Sequence, residues 1–293
     1  MSEPRIDLEA LAGRVARELV RADQAVATGS PVGVRHARPG ARIADFIDHT
    51  LLKAEATRAD IDQLCAEAVE YGFAAVCVNP VWVSRCASMI RGSGVALATV
   101  VGFPLGANHP ETKAAETGLA IQQGATEIDM VAAIGHIKSG DWAYVADDIT
   151  AVVRAASGLP VKVIIESAHL TPVEIIKASA LAREAGAHYV KTSTGFHPSG
   201  GASAAAVALM RLVAGDTMGV KASGGVRDCR AALRMIASGA TRIGTSSGVA
   251  MVECLGRGPL PIRELAASPD EHTGPCTAVT FGSGTREEGS SAY

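Results

Sequence analysis

A closed barrel of eight parallel strands alternating with helices, a single (β/α)8 TIM barrel, is the fold this sequence predicts, flanked by an N-terminal helical extension and a flexible C-terminal tail. The first observation is a recurring unit in which a helical pattern ends at a glycine and a β-branched run follows: EAVEYGFAAVCV, AIQQGATEIDMV, LAREAGAHYVKTS and MIASGATRIGTS. Each glycine falls where a helix C-terminus needs a left-handed residue. The second is the number of short apolar runs, which is eight. Alternating strands and helices imply a parallel sheet, and eight such strands over about 220 residues suit a closed barrel better than an open doubly wound sheet. The open sheet is the alternative, but no G-x-G-x-x-G follows a strand and no G-x-x-x-x-G-K-[ST] occurs. The third is composition: with 48% hydrophobic but only 4% aromatic residues, the core must be built from small interlocked aliphatics.

Residues 1–40 read as one amphipathic helix, with Leu8, Leu11, Val15 and Leu19 on one face, followed by a linker carrying Thr28-Gly-Ser-Pro-Val-Gly and Arg38-Pro-Gly. Residues 41–267 hold the barrel. Its strands are expected at Phe46–Thr50, Ala74–Val78, Ala96–Val101, Glu127–Val131, Val161–Glu166, His188–Thr192, Met218–Ala222 and Arg242–Thr245. Between them, Thr57 with Asp60 and Thr171-Pro172 with Glu174 have the form of capping boxes, and Asp141, Ser203 and Asp228 suit N-caps. Residues 268–293 are rich in Gly, Ser and Thr with little periodicity, as expected of a loose surface tail.

The 27 Lys and Arg against 30 Asp and Glu leave a net charge of −3, which argues against a nucleic-acid or membrane-surface partner. The longest apolar stretch, Val95–Ala107, is too short to span a bilayer and is interrupted by Gly102 and Pro104. Six cysteines without C-x-x-C spacing, and no signal-peptide pattern, predict reduced thiols in a cytoplasmic protein. The eight histidines are scattered, with no H-E-x-x-H and no Cys/His cluster, so neither metal nor cofactor is expected.

In such a barrel the chemistry lies at the C-terminal strand ends. Lys191 in Tyr189-Val-Lys-Thr-Ser-Thr-Gly195 and Lys221 in Gly219-Val-Lys-Ala-Ser-Gly-Gly225 close the sixth and seventh strands at matching positions. Neighbouring strands are about 4.8 Å apart, so two ammonium groups so placed repel, and burial adds to the preference for a neutral amine. A neutral lysine is the nucleophile that forms a Schiff base with a carbonyl substrate. A lysine at either position that snorkels into solvent is the bland alternative. Asp129, an acid within the apolar run Glu127-Ile-Asp-Met-Val131, calls for a cation opposite: it serves proton transfer, or else it is the structural partner of an internal lysine such as Lys162. Asp48 and Glu166 read as structural groups or contacts to substrate hydroxyls. Glycine-rich turns after the seventh strand (Ser223-Gly-Gly-Val-Arg227) and the eighth (Gly244-Thr-Ser-Ser-Gly248) occupy the usual phosphate cradle, with Gly195 and the hydroxyls of Thr192 to Thr194 as contributors from the sixth. His49 reads as a satisfied core histidine and Cys77 as a small apolar wall.

Eight strings carry a family resemblance: Ile47-Asp-His-Thr-Leu-Leu52, Val76-Cys-Val-Asn-Pro80, Val101-Gly-Phe-Pro-Leu-Gly106, Glu127-Ile-Asp-Met-Val131, Val161-Lys-Val-Ile-Ile-Glu166, Lys191-Thr-Ser-Thr-Gly195, Lys221-Ala-Ser-Gly-Gly-Val-Arg227 and Arg242-Ile-Gly-Thr-Ser-Ser247. From about Arg42 to Leu255 the chain resembles the deoxyribose-phosphate aldolases. The resemblance implies a class I aldolase, without metal or cofactor, that reversibly cleaves 2-deoxy-D-ribose 5-phosphate to D-glyceraldehyde 3-phosphate and acetaldehyde in deoxynucleoside breakdown. It places the Schiff-base lysine at Lys191, the second lysine at Lys221 and the proton-relay aspartate at Asp129. It assigns phosphate to Gly195, Gly224, Gly225, Gly244, Ser246 and Ser247, allows Tyr293 to reach the site from the tail, and is compatible with a homo-oligomer such as a dimer. Another class I aldolase of phosphorylated sugars and a non-catalytic sugar-phosphate-binding barrel are the alternatives. Ser167-Ala-His169 and the long N-terminal extension depart from the family pattern.

Overall fold

The computed structural model describes residues 40–267 and single residues between 7 and 21. The expected apolar face Leu8, Leu11, Val15 and Leu19, the linker as far as Pro39, and the tail 268–293 with Tyr293 lie outside the described residues.

The eight strands are β1 (Ile47–Leu51), β2 (Ala75–Val78), β3 (Ala96–Val101), β4 (Glu127–Val131), β5 (Val161–Ile164), β6 (Tyr189–Lys191), β7 (Gly219–Ser223) and β8 (Arg242–Thr245). They are parallel, pair in sequence order, and close through Asp48↔Gly244 between β1 and β8, so the barrel and not the open sheet is formed. Expected and observed boundaries coincide for β3, β4 and β8 and differ by one or two residues for the others. At β5 the difference has a local cause: Glu166 adopts a left-handed φ of 55°, which turns the chain out of the sheet.

Around the strands run α1 (Arg58–Tyr71), α2 (Val83–Met89), α3 (Pro110–Gln122), α4 (Ile134–Ser139), α5 (Trp142–Ala155), α6 (Pro172–Glu184), α7 (Ala204–Ala214), α8 (Cys229–Ala237), α9 (Gly248–Leu255) and α10 (Ile262–Ala267). Five of them, α1, α5, α6, α7 and α8, start where the sequence marks a cap. Thr57 and Asp60, and Thr171 and Glu174, form reciprocal capping boxes, while Asp141, Ser203 and Asp228 accept from the backbone N–H three residues on. At the other end of α1, Gly72 takes the left-handed conformation, with φ 63°.

Strand alternation divides the molecule into two environments. Residues such as Ile128, Met130, Val163, Val190, Val220 and Ile243 face the helices and form the main apolar core. Inside the barrel, Cys77, Ala98 and Val100 form a small apolar group with Leu52, against which Phe103 packs, while the strands from β4 round to β1 contribute charge. Cys229 and Cys254 stand side by side, with Cα atoms 6.9 Å apart, where α8 and α9 pack together. Cys65, Cys77 and Cys86 are buried free thiols, and Cys276 lies outside the described residues. Among the described residues no helix is long and apolar enough to cross a membrane, and no group of three or more metal-ligating side chains occurs.

Candidate active site

Lys191 and Lys221 are register partners on β6 and β7, so both side chains enter the barrel at one level. They meet on one atom: Asp129 Oδ2 accepts from Lys191 Nζ at 2.7 Å and from Lys221 Nζ at 2.8 Å. Asp129 Oδ1 accepts from Lys162 Nζ at 2.7 Å. The same carboxylate thus binds the internal lysine named as its structural partner and both strand-end lysines. Lys221 also donates to Asp48 Oδ2 at 2.5 Å. Room for this comes from Gly244, where a Cβ would lie 3.1 Å from Lys221 Cε and 2.9 Å from Ser223 Cβ.

The network continues toward the N-terminal ends of the strands. Arg242 Nε donates to Asp48 Oδ1 at 2.5 Å and its Nη2 to Glu127 Oε2 at 3.0 Å, while Lys162 reaches the same Glu127 oxygen at 2.5 Å. Asp48 is thus an anchor of the charged interior. Arg242 and Glu127 are members that motif reading passed over. The available signal was periodicity, since Glu127 lies two residues before Asp129 and Arg242 two before Gly244, on the same inward faces.

Their carboxylate partners separate the two lysines chemically. Burial pushes the Lys191 ammonium below the ordinary lysine value; Asp129 opposes this and Lys221 reinforces it. Burial also disfavours charge on Lys221, but there Asp129 and Asp48 outweigh it, and its pKa is raised. Asp129 is held well below the usual carboxylate range despite its burial, because three lysines surround it. Lys191, at the open end of its strand and only 2% exposed, is therefore the group prepared to lose a proton beside a neighbour that keeps one. A neutral amine next to a carboxylate and a second ammonium can add to a carbonyl and have the resulting charge and protons managed within hydrogen-bond reach. Cys77 lies nearby with its thiol pushed up by burial and by Asp129, so it is a neutral wall. His49 is buried, with Nε2 2.7 Å from Glu67 Oε2, a core position, as expected.

Above the lysines the sixth, seventh and eighth loops converge. Gly224 (φ 84°) and Gly225 (φ 77°) turn the chain after β7, and a Cβ on Gly224 would lie 3.0 Å from Gly201 Cα and 3.4 Å from Gly195 Cα. Only a bare backbone allows that approach. Ser246 is exposed, and Ser247 is buried at the N-cap position of α9. Gly244 differs from the expected loop position, for it lies within β8, one step below that rim. Two of the hydroxyls expected to contribute from the sixth loop are otherwise engaged: Thr192 Oγ1 donates to Ser223 O at 2.9 Å and Thr194 Oγ1 to Glu166 Oε2 at 2.6 Å. Glu166 thus orients the start of the β6 loop. The departing run Ser167–His169 forms a short 3-10 turn, and the His169 ring lies 4.6 Å from that of His197.

The model of the DeoC/LacD family aldolases matches residues 42–253, which is the barrel with its lysines and loops. The chain belongs to the DeoC/LacD aldolase family. Among curated relatives, a protein of Geobacillus sp. (strain WCH70) named deoxyribose-phosphate aldolase is 59% identical over 212 residues, covering 72% of this chain and 95% of the relative. One of the same name from Streptococcus uberis is 56% identical over 211 residues, covering 72% and 96%. The crystal structure of a putative deoxyribose-phosphate aldolase from Coccidioides immitis superposes with a TM-score of 0.71 at 42% identity, over 74% of this chain and 88% of the other. A deoxyribose phosphate aldolase from Aeropyrum pernix, described as tetrameric, gives a TM-score of 0.67 at 36% identity, over 72% and 89%.

Proposed function

We propose that the chain reversibly cleaves 2-deoxy-D-ribose 5-phosphate to D-glyceraldehyde 3-phosphate and acetaldehyde, with Lys191 as the Schiff-base residue. The observation that carries this reading is the single Asp129 oxygen shared by a lysine of lowered proton affinity and one of raised proton affinity. Neutral Lys191 adds to the C1 carbonyl, and loss of water gives an iminium. The C2–C3 bond then breaks as the C3 hydroxyl gives up its proton and becomes the aldehyde of glyceraldehyde 3-phosphate. The electron pair moves into the iminium to leave an enamine, protonation at C2 follows, and hydrolysis frees acetaldehyde and the amine. Asp129 relays these protons. It does not store them, because the lysines around it, Lys162 and Lys221 above all, keep it ionised. Lys221 stays charged and keeps the amine of Lys191 available.

Phosphate is assigned to backbone and side-chain groups of Gly195, Gly224, Gly225, Ser246 and Ser247, with Gly244 beneath them. The tail residue Tyr293 is assigned a proton-delivery role at the enamine carbon. The reaction uses no metal or cofactor, since the iminium is itself the electron sink, and activity therefore survives exhaustive chelation. A cytoplasmic homo-oligomer, such as a dimer, is the proposed setting. Borohydride reduction with acetaldehyde, followed by peptide mass mapping, tests the assignment: the stable adduct is expected on Lys191, and an adduct on another lysine, or none, overturns it. A panel comparing deoxyribose 5-phosphate with ketose phosphates tests the substrate.

A further inference from the structure

Counting charge inside the barrel gives an unequal result. Lys162, Lys191, Lys221 and Arg242 supply four cations, whereas Asp48, Glu127 and Asp129 supply three anions, all at least nine-tenths buried. They form one connected set. Lys191 and Lys221 bind Asp129, Lys221 binds Asp48, and Arg242 binds Asp48 and Glu127; Lys162 then closes the set by donating to Asp129 at 2.7 Å and to Glu127 at 2.5 Å. One further buried carboxylate, Glu166 after β5, lies outside this connected set: it accepts from the Thr194 hydroxyl at 2.6 Å and from Thr194 N at the start of the β6 loop. The remaining strands bring little that could change the count. β2 places the Cys77 thiol here, β3 only Ala98 and Val100, and β6 adds Tyr189, whose ring lies 5.9 Å from the Arg242 guanidinium carbon.

A sealed interior with one surplus positive charge is relieved by losing one proton, and the site of loss is the cation with the fewest carboxylate partners. Lys162 has Glu127 and Asp129 in hydrogen-bond contact, Lys221 has Asp48 and Asp129, and Arg242 has Asp48 and Glu127. Lys191 has Asp129 alone. Arginine does not deprotonate in proteins, so the surplus charge it brings is permanent.

We propose that Arg242 and Glu127 are positioning residues that act at a distance: they sit at the opposite end of the strands from the reacting amine and, through Asp48 and Lys162, set the charge balance that decides whether Lys191 keeps its proton. This rests on the Schiff-base reading of Lys191 for its functional meaning. The charge mechanism itself does not depend on catalysis. Removing the arginine charge leaves three lysines with three carboxylates, a balanced set in which Lys191 retains its proton to higher pH. Neutralising Glu127 leaves four cations with two anions and moves Lys191 the other way. The two residues hydrogen-bond to each other, so loosened packing would affect either variant alike, whereas the charge account demands opposite signs.

The test is competitive labelling of the intact enzyme with acetic anhydride as a function of pH, quantified for the Lys191 peptide by mass spectrometry. Alongside it, the pH profile of borohydride-trapped imine with acetaldehyde is measured. Arg242→Met is expected to shift the Lys191 midpoint upward by about one pH unit or more, Glu127→Gln to shift it downward, and Arg242→Lys to restore the wild-type profile. The double variant should return close to wild type. Shifts of both single variants in the same direction, no shift in either, or an Arg242→Lys profile matching that of Arg242→Met would overturn the proposal. If Arg242→Met does not fold by circular dichroism, Glu127→Gln decides alone: an unmoved or raised midpoint is fatal. Labelling shifts of opposite sign without any trapped imine in the parent protein would instead keep the charge mechanism and remove the aldolase reading.

Discussion

Lys191 and Lys221 differ in their carboxylate partners far more than in their distance from Asp129, which is 2.7 Å for one and 2.8 Å for the other. On the proposed mechanism, that difference assigns Lys221 as the tuner and Lys191 as the nucleophile. Replacing Lys221 by Met removes a positive neighbour of Lys191, so the lowered pKa of Lys191 should rise toward the ordinary lysine value. Imine formation, which needs the neutral amine, should then require a higher pH, and the neutral fraction at pH 7 should fall roughly tenfold each time the Lys191 midpoint climbs by one on the pH scale. Trapping with borohydride across pH reads this directly, and an identical profile in the variant would exclude an electrostatic role. Asp129→Asn acts on a different step. It keeps the shape of the site but removes the charge that binds three ammonium groups and the atom that relays protons, so turnover should fall by roughly 10² to 10⁴. Turnover near that of the parent would leave Asp129 as no more than the partner of Lys162. Among these residues, Lys191, Lys221 and Asp129 were legible in the sequence because a charge inside an apolar strand run is conspicuous. Arg242 and Glu127 were not, because each begins its strand, where a charged residue looks like the end of a solvated loop.

The same distinction holds for whole elements. Helix starts were readable since a capping box is closed by atoms three residues apart, and Thr171 with Glu174 forms one in the structure as the spacing requires. Thr171→Ala should cost about 1 kcal/mol of stability, measured by denaturant unfolding, without changing activity. The loops were legible in place but not in detail. Their glycines announce turns, yet nothing local reveals that Gly224 touches Gly201, or that Thr192 and Thr194 bind Ser223 and Glu166, because those contacts join different strands. Gly225 separates turn geometry from packing. Its φ is 77° and no atom lies within 4 Å of where a Cβ would be, so Gly225→Ala changes only the backbone preference. If the backbone of this loop holds phosphate, KM for deoxyribose 5-phosphate should rise roughly tenfold while the kinetics with unphosphorylated deoxyribose stay unchanged, a loss of about 1.4 kcal/mol in binding. Equal losses on both substrates would mean that the turn is purely structural.

At the scale of the molecule, the strands could be counted directly, whereas closure had to be inferred from their number, because β1 and β8 are joined by pairings about 196 residues apart in sequence, such as Asp48↔Gly244. Closure is also what assembles the charge network. Asp48 on β1 reaches Lys221 on β7 and Arg242 on β8 only in a closed barrel, so these ion pairs report on the fold as well as on the site. Burial disfavours the Asp48 carboxylate, but Arg242, Lys221 and Lys162 more than offset this and depress its pKa in the folded state. A carboxyl group whose folded pKa lies below its unfolded value, about 3.9, contributes stability at all pH above that value, and the contribution disappears as pH falls toward the folded pKa. Asp48→Asn should therefore destabilise the protein by about 3 kcal/mol at neutral pH, since it leaves Lys221 and Arg242 short of a buried counter-charge. The difference should persist unchanged down to about pH 5 and then narrow below about pH 4, as the unfolded chain of the parent protein takes up a proton at this group while the folded protein does not. Denaturant unfolding of both proteins from pH 7 to pH 3 measures the gap. A gap that stays constant to pH 3 would assign the loss to packing, and one that widens with acid would contradict a depressed Asp48 pKa.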